Sequence, residues 1–389
     1  MKKKIMLIVP MLHQGGFERV CVATARLLEP FFDIYIIIFD SKDIAYDIKG
    51  LNVIDLHMGV KKDMAGKLLN VVKRSFMVRR LKKKLTIDIA YSFGPTANLV
   101  NVFSRRREQV WTGIRSYMDM ENERKISLLC KLSDKILCCS KMIEEELAKK
   151  YNCKKAITLY NPLDVEEIRK NAEAGGPRLP WDNAEHIIVS MGREDDVKGY
   201  WHLIKSFALL QKDIPEVKLM IIGEGDFEEY RNLAKRLEIA DHIFFPGMKK
   251  NPFPYLKAAE VYVLSSYNEG FPNALLEAMA LGIPVIATDC MTGPREILQK
   301  KYISEGEAKA GKITGAIDAD YGVLIPNMSP EKNLDAGLIT EEEKVLYEEI
   351  KRMVTDRGHY EKYKKVALMR AGDFSNKAYV EILKKQIEA

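Results

Sequence analysis

A chain of 389 residues that is 47% hydrophobic and 30% charged has enough apolar mass for two domains of ordinary size, each with its own core. Its net charge of +6 is modest, and no apolar run approaches the roughly 20 residues of a membrane span, the longest being IYIIIF at 34–39, which argues against a helical membrane protein. The six cysteines (Cys21, Cys130, Cys138, Cys139, Cys153, Cys290) show neither Cys-x-x-Cys spacing nor metal-type pairing with the six histidines, so they read as reduced thiols of a cytoplasmic protein.

The opening MKKKIMLIVPML imitates a signal peptide, but His13-Gln14-Gly15-Gly16 follows where small cleavage-site residues are expected, and residues 5–9 read instead as a buried strand. The loop HQGGFER (13–19) leads into a helical run from Glu18 to Leu28. Without Cβ atoms, Gly15 and Gly16 let backbone N–H groups approach a phosphate closely. The same residues also suit an ordinary tight strand-to-helix turn. There is no Gly-x-Gly-x-x-Gly and no P-loop lysine.

Between Met64 and Leu85 stand eight basic residues (Lys67, Lys73, Arg74, Arg79, Arg80, Lys82, Lys83, Lys84) and no acidic one. Met64, Leu68, Val71, Val78, Leu81 and Leu85 recur at helical spacing, which predicts one amphipathic helix with a basic face. That face is either simply solvated or attracted to anionic headgroups or a lipid-diphosphate acceptor. Nucleic acid fits poorly, because interleaved aromatics and a recognisable nucleic-acid module are both missing.

Apolar, strand-like runs fall near 5–9, 34–39, 52–56, 87–91, 109–112, 135–139 and 156–159, then near 186–191, 217–222, 242–245, 261–264, 283–287 and 322–325. Helical patterns fill most of the gaps. The alternation predicts an α/β protein with two doubly wound, parallel-sheet domains, 1–165 and 180–375, parted within 162–185 where Pro162, Gly175, Gly176, Pro177 and Pro180 interrupt a polar stretch. Ligands of such sheets sit beyond the carboxyl ends of the strands, so two facing sheets would place a site in the cleft between them.

Three segments of the second half carry candidate chemistry. Arg193 lies just past the strand HIIVSM, and Lys198-Gly199 precedes a helix whose Leu203, Ile204, Phe207 and Ala208 form an apolar face. An isolated Arg and Lys are commonly surface charges, but at the mouth of a sheet they suit a leaving diphosphate, whose developing charge fixed cations stabilise. Glu269 and Glu277 stand eight residues apart in YNEGFPNALLEAMALGIPVIATD (267–289): Gly270, Phe271 and Pro272 oppose helix and put Glu269 on a loop, while Glu277 lies about one turn into the helix that follows. The N-terminus of that helix offers N–H groups and a positive dipole end to a phosphate, with Phe271, Asn273 and Ala274 able to donate and Pro272 not. The polar stretch 299–320 reads as a lid or a solvated insertion, and Asp318-Ala-Asp320 within it as a loop, so no metal site is indicated.

The Glu-x7-Glu block, together with GGFER (15–19), LYNPLD (159–164), MGREDDVKG (191–199), IIGEGD (221–226), FFPGM (244–248), DCMTGPREIL (289–298) and YGVLIPN (321–327), resembles in order and approximate spacing the retaining family-4 glycosyltransferases of the GT-B fold. The resemblance spans nearly the whole chain. It implies two Rossmann-like domains facing across a cleft, the first on the acceptor side, the second binding a nucleotide-sugar donor, and a last helix at about 376–389 packing back on the first domain. It further implies that Arg193 and Lys198 hold the diphosphate, Glu269 touches the transferred sugar, Glu277 accepts hydrogen bonds from the ribose hydroxyls, Gly15 and Gly16 abut the diphosphate, and the base packs near Gly247 and Met248.

Many relatives place a histidine after the strand at 109–112; here Gly113 and Arg115 stand there. Arg115 either takes over donor or acceptor contacts or the contact is absent, and His13 is the other histidine placed near the cleft mouth, or else a plain loop residue. What the resemblance implies is a hexosyl transfer from a nucleotide-diphosphate sugar, a UDP-sugar in first choice, with neither metal nor cofactor, to a glycan or lipid-linked acceptor of bacterial surface-polysaccharide assembly. The enzyme would be cytoplasmic or peripheral on the inner face of the membrane. A nucleotide-sugar epimerase or hydrolase on the same fold, and a non-catalytic sugar-nucleotide-binding scaffold, are the competing readings.

Overall fold

The computed structural model describes residues 2–13, 15–61, 63–181, 186–301 and 313–388. Half of the polar stretch 299–320, residues 302–312, therefore lies outside the described residues. Two compact units form, one from Met1–Pro162 with Asn376–Ala389, the other from Leu163–Ser375, and each is built on a seven-stranded sheet.

The first unit orders its strands β3-β2-β1-β4-β5-β6-β7, with β1 Lys4–Val9, β2 Asp33–Ile38, β3 Asn52–Asp55, β4 Ile89–Phe93, β5 Gln109–Ile114, β6 Lys135–Cys138 and β7 Ala156–Thr158. Every pairing is parallel. A parallel sheet is covered on both faces, so its strands must be apolar on both. In β1, Ile5, Leu7 and Val9 join the core against helix α1 (Gly16–Leu28), while Met6 and Ile8 join the opposite core with Ile37, Val78 and Val100. The period of two divides one strand between two cores. The helix Asn376–Glu388 buries Tyr379, Leu383 and Ile387 in the α1 core, and the Tyr379 hydroxyl lies 2.7 Å from Thr24 Oγ1.

The second unit orders its strands β10-β9-β8-β11-β12-β14-β13, with β8 His186–Met191, β9 Val217–Ile222, β10 Ile243–Gly247, β11 Val261–Leu264, β12 Val285–Thr288, β13 Ile317–Asp318 and β14 Val323–Ile325. One correction to the sequence reading arises here. Asp318, read with Ala319 and Asp320 as loop, belongs with Ile317 to an edge strand running antiparallel to β14, too short to show any periodicity. The units divide after Pro162, inside the expected 162–185, and the second unit opens with the helix Val165–Ala172: Asp164 caps it by accepting from the Glu167 N–H at 2.9 Å, Ile168 and Ala172 are buried, and Asn251 Nδ2 donates to the Asn171 carbonyl at 2.8 Å. Pro162 stands before that helix and the other Pro and Gly signals behind it, at 175–180.

One helix departs from its pattern in part. Helix α2 (Met64–Leu85) forms over the predicted span and turns Val71, Val78, Leu81 and Leu85 of its predicted apolar face to the core, but it also buries Asn70, Arg74, Ser75 and Lys82, while Met64 and Leu68 point outward. Arg74 and Lys82 are thus not part of a solvated basic face. Lys82 Nζ lies 2.8 Å from Glu108 and donates to the Asn101 carbonyl at 3.1 Å; Arg74 donates to the carbonyls of Met58 and Gly59 and stands 4.4 Å over the Phe39 ring.

Candidate active site

The second sheet grows outward from β8 through β9 to β10, and the chain then returns across β8 to lay down β11 on its other side. Between β8 and β11 the strand order reverses, and the loops leaving their carboxyl ends diverge; in open α/β sheets this is where ligands bind. The β8 loop carries Arg193 and Lys198. The β11 loop carries Glu269.

These loops are laced together. Ser265 Oγ donates to the Lys198 carbonyl at 2.9 Å, the Tyr267 N–H donates to the Val197 carbonyl at 3.1 Å, and Lys198 Nζ donates to Glu269 Oε1 at 2.7 Å. The chain reaches Lys198 on a single 3-10 turn, Asp196–Lys198, and leaves it through Gly199 at φ +59°. A Cβ on Gly199 would stand 2.5 Å from the Ser265 carbonyl oxygen, so the close approach of the loops needs this glycine as much as the turn does. Arg193 is exposed, and among the described residues its guanidinium has no hydrogen-bond or ion-pair partner.

Glu269 is only 11% exposed at its side chain. It sits among buried hydroxyl and thiol groups that resist ionisation: burial, then Glu269 and then Glu277 push the Tyr262 phenol well above its usual range, and burial followed by Glu269 and Asp289 raises the Cys290 thiol. Glu277 is itself buried, 2% exposed, on the helix Asn273–Ala280, so it is not the solvated helix acid that its sequence would ordinarily suggest. That helix begins after Pro272 without a side-chain cap, placing Asn273 and Ala274 in its first turn. Phe271 is buried, its ring 5.4 Å from that of Phe374.

A third segment, not singled out by local chemistry in the sequence, backs the Glu269 loop. Thr292 Oγ1 donates to the Glu269 carbonyl, and Gly293, at φ +94°, brings the backbone so near that a Cβ there would stand 2.5 Å from Pro272 Cδ. Arg295 closes this turn on Asp289, with Nε donating to Oδ1 at 2.8 Å and both side chains buried. The sequence signal for it is Asp289 and Arg295 flanking Gly293-Pro294. Gly247, at φ +74°, ends β10, and Met248 beyond it is 55% exposed.

In the first unit the sequence candidates are placed differently. The Gly15 N–H donates to the Tyr46 hydroxyl at 3.0 Å, and that hydroxyl donates back to the Gly15 carbonyl at 2.7 Å. Gly15 thus already has a protein partner for the N–H expected to face a phosphate, because Tyr46 folds over the loop from a distant segment. Gly16 is exposed at the start of α1, and His13 is half-buried. Arg115 lies buried past the end of β5: one guanidinium nitrogen donates to Asn161 Oδ1 and the group stands 5.9 Å from the Phe93 ring centroid. Burial opposes its charge, but Tyr91, Cys139, Tyr379 and Cys138 together hold its pKa above the usual arginine value. Nη1 of Arg115 has no hydrogen-bond partner among the described residues.

As to metals, Asp318, Glu349 and His359 form one grouping of possible ligand atoms among the described residues. Arg352 already grips Asp318 through two hydrogen bonds of 2.9 and 2.8 Å, which supplies the positive charge an ion would bring.

Residues 176–315, which hold the β8 and β11 loops, match the family model for glycosyl transferases, group 1. Over the whole chain the structure superposes on Anabaena Alr3699/HepE, solved in complex with UDP and glucose, with a TM-score of 0.73 at 15% identity, covering 100% of both chains. The chain has the GT-B fold. TarM is similarly close in structure, with a TM-score of 0.75 at 13% identity, covering 100% of this chain and 99% of TarM. In sequence the chain is 29% identical over 316 residues to the N-acetylgalactosamine-N,N'-diacetylbacillosaminyl-diphospho-undecaprenol 4-alpha-N-acetylgalactosaminyltransferase of Campylobacter jejuni, covering 76% of this chain and 83% of that one. It is also 36% identical over 207 residues to an uncharacterized glycosyltransferase of Methanocaldococcus jannaschii, spanning 52% of this chain and about half, 49%, of that protein's length.

Proposed function

We propose that this protein is a glycosyltransferase that moves a hexosyl group, with retained anomeric configuration, from a UDP-sugar to a hydroxyl of a lipid-linked or polysaccharide acceptor in cell-surface glycan assembly. The observation that carries the donor-site reading is the Lys198–Glu269 pair at the strand-order reversal, next to the uncapped start of the helix Asn273–Ala280. Lys198 and the exposed Arg193 would take the diphosphate, with the helix start adding its N–H groups and dipole. Glu277 would accept from the ribose hydroxyls, since a carboxylate with two oxygens matches a vicinal diol. Glu269 would meet the transferred sugar, and the base would lie by Gly247 and Met248.

In this reading the bond between the anomeric carbon and the phosphate oxygen breaks as the acceptor oxygen bonds the same carbon on the same face. The acceptor proton passes to the departing phosphate oxygen. Charge builds on the diphosphate in the transition state, where Arg193, Lys198 and the helix dipole neutralise it without a divalent ion. The acceptor class is supported by the Campylobacter relative, named for a diphospho-undecaprenol acceptor, and by a 29% identical lipopolysaccharide 1,6-galactosyltransferase of Salmonella typhimurium, of which 46% is covered. The donor class is supported by the UDP bound to Alr3699/HepE.

The test is a thermal-shift screen against UDP, GDP, ADP and CMP with and without magnesium, followed by donor turnover with and without acceptor, since a ligand that binds only the native state raises the melting temperature. A shift with UDP alone, indifferent to magnesium, and turnover that needs acceptor support the proposal. Donor turnover without acceptor would favour a hydrolase or epimerase, and binding without turnover a scaffold.

A further inference from the structure

Helix α2 exposes apolar side chains as well as burying them. A surface helix ordinarily buries an apolar stripe and exposes its charges. Here the inward side packs Val71, Met77, Val78, Leu81 and Leu85 on the core and also takes in three polar groups: Asn70 Nδ2 donates to the Gly59 carbonyl at 2.9 Å, Arg74 to that of Met58, and Lys82 is paired with Glu108 at 2.8 Å. The outward side is apolar too. Met64 is 81% exposed, Leu68 69%, Leu69 52%, Val72 58% and Phe76 59%, and Val60, just before the helix, is 71% exposed. These six are nearly half of the thirteen large apolar side chains that stand exposed among the described residues, so the patch is a concentration and not background.

The same surface is cationic. Lys67, Lys73, Arg79, Arg80, Lys83 and Lys84 are all exposed, and the helix contains no acidic residue. The apolar side chains occupy the first half of the helix and most of the cations the second; Arg80 stands 4.9 Å over the Phe76 ring at the join. Arg79 donates to the Arg105 carbonyl, which brings up the turn bearing the exposed Arg106 and Arg107. No helix of the described residues is long and apolar enough to cross a membrane, so this surface meets its partner from the side.

We propose that the outward face of α2, with Val60, docks on an anionic lipid bilayer: the apolar side chains enter the boundary between headgroups and acyl chains, and the lysines and arginines meet the lipid phosphates. Charge complementarity selects this occupant. A second copy of the chain would bring the same cations face to face, with no acid on the helix to offset them. The proposal goes beyond sugar transfer and does not depend on the donor reading.

The experiment is co-sedimentation of the full chain with vesicles of phosphatidylcholine and of phosphatidylcholine mixed with phosphatidylglycerol. Two variants accompany the wild type, Leu69→Ser/Val72→Ser/Phe76→Ser and Lys73→Glu/Arg80→Glu/Lys83→Glu. All six side chains are exposed, so both variants should fold, with melting temperatures and UDP-induced shifts like those of the wild type. The wild type should bind the anionic vesicles in a salt-sensitive way and the neutral ones weakly, and each variant should lose roughly tenfold or more of that binding. Equal binding to both vesicles, no binding to either, or variants that bind like the wild type would overturn the proposal. So would a wild-type dimer in size-exclusion chromatography that the triple serine variant turns into a monomer, because the face would then cover a second copy.

Discussion

The ammonium of Lys198 lies 2.7 Å from the Glu269 carboxylate, with the two side chains only 24% and 11% exposed. Each holds the other in place until a ligand arrives, and a diphosphate entering beside Lys198 would leave Glu269 free to turn to the sugar. Lys198→Ala is therefore expected to weaken UDP binding and to lower transfer by roughly 100-fold or more. Glu269→Gln should lower transfer while leaving UDP binding nearly intact. Titration of UDP against both variants, with transfer rates, decides this; equal loss of UDP binding in the two would refute the separate roles.

Gly199 and Gly293 are expected to tolerate no side chain. Gly199→Ala and Gly293→Ala force a Cβ to within 2.5 Å of the Ser265 carbonyl and of Pro272 Cδ, in backbone held at φ +59° and +94°. Each should cost on the order of 1–3 kcal/mol in urea unfolding and reduce activity through the displaced loops. Gly176→Ala, with no atom within 4 Å of the added Cβ, is the control and should stay within about 0.5 kcal/mol of the wild type.

The buried Asp289–Arg295 pair should be costly to break from one side. Asp289→Ala strands a guanidinium that is 4% exposed, and a loss of about 3–5 kcal/mol is expected in urea unfolding. Because Thr292 of the same turn holds the Glu269 carbonyl, activity should fall in whatever fraction stays folded.

Lys82 predicts a pH dependence. Burial lowers its pKa from the ordinary 10.5 to about 8, against the opposing pull of Glu108. Between those values the unfolded chain binds the extra proton, so stability should rise as the pH is raised from about 8 towards 10.5. Urea unfolding of the wild type and of Lys82→Met/Glu108→Gln across that window should show the wild type gaining on the variant with pH. A difference independent of pH would refute the assignment.

The strands and their parallel packing were legible in the sequence because a doubly covered strand must be apolar along its length, and that is a local property. β1, β8, β9 and β11 stand where their apolar runs place them. The meeting of Lys198 with Glu269 was legible for a related reason: the loops that hold them directly follow β8 and β11 and carry the glycines and proline that their turns require.

What only the tertiary structure decided depends on partners distant in the chain. Apolar spacing along α2 predicted the helix and, through Val71, Val78, Leu81 and Leu85, its inward side, but not the burial of Arg74 and Lys82 or the exposure of Met64 and Leu68. The two buried cations were set by Glu108, Asn101 and the carbonyls of Met58 and Gly59, which bind them. The Gly15 N–H was assigned by Tyr46, 31 residues away, and Glu277, 2% exposed, was buried by the packing of its helix Asn273–Ala280 in the fold. A sequence pattern records the period of a segment, whereas the direction of each polar group follows from which acceptors and donors the fold brings to it.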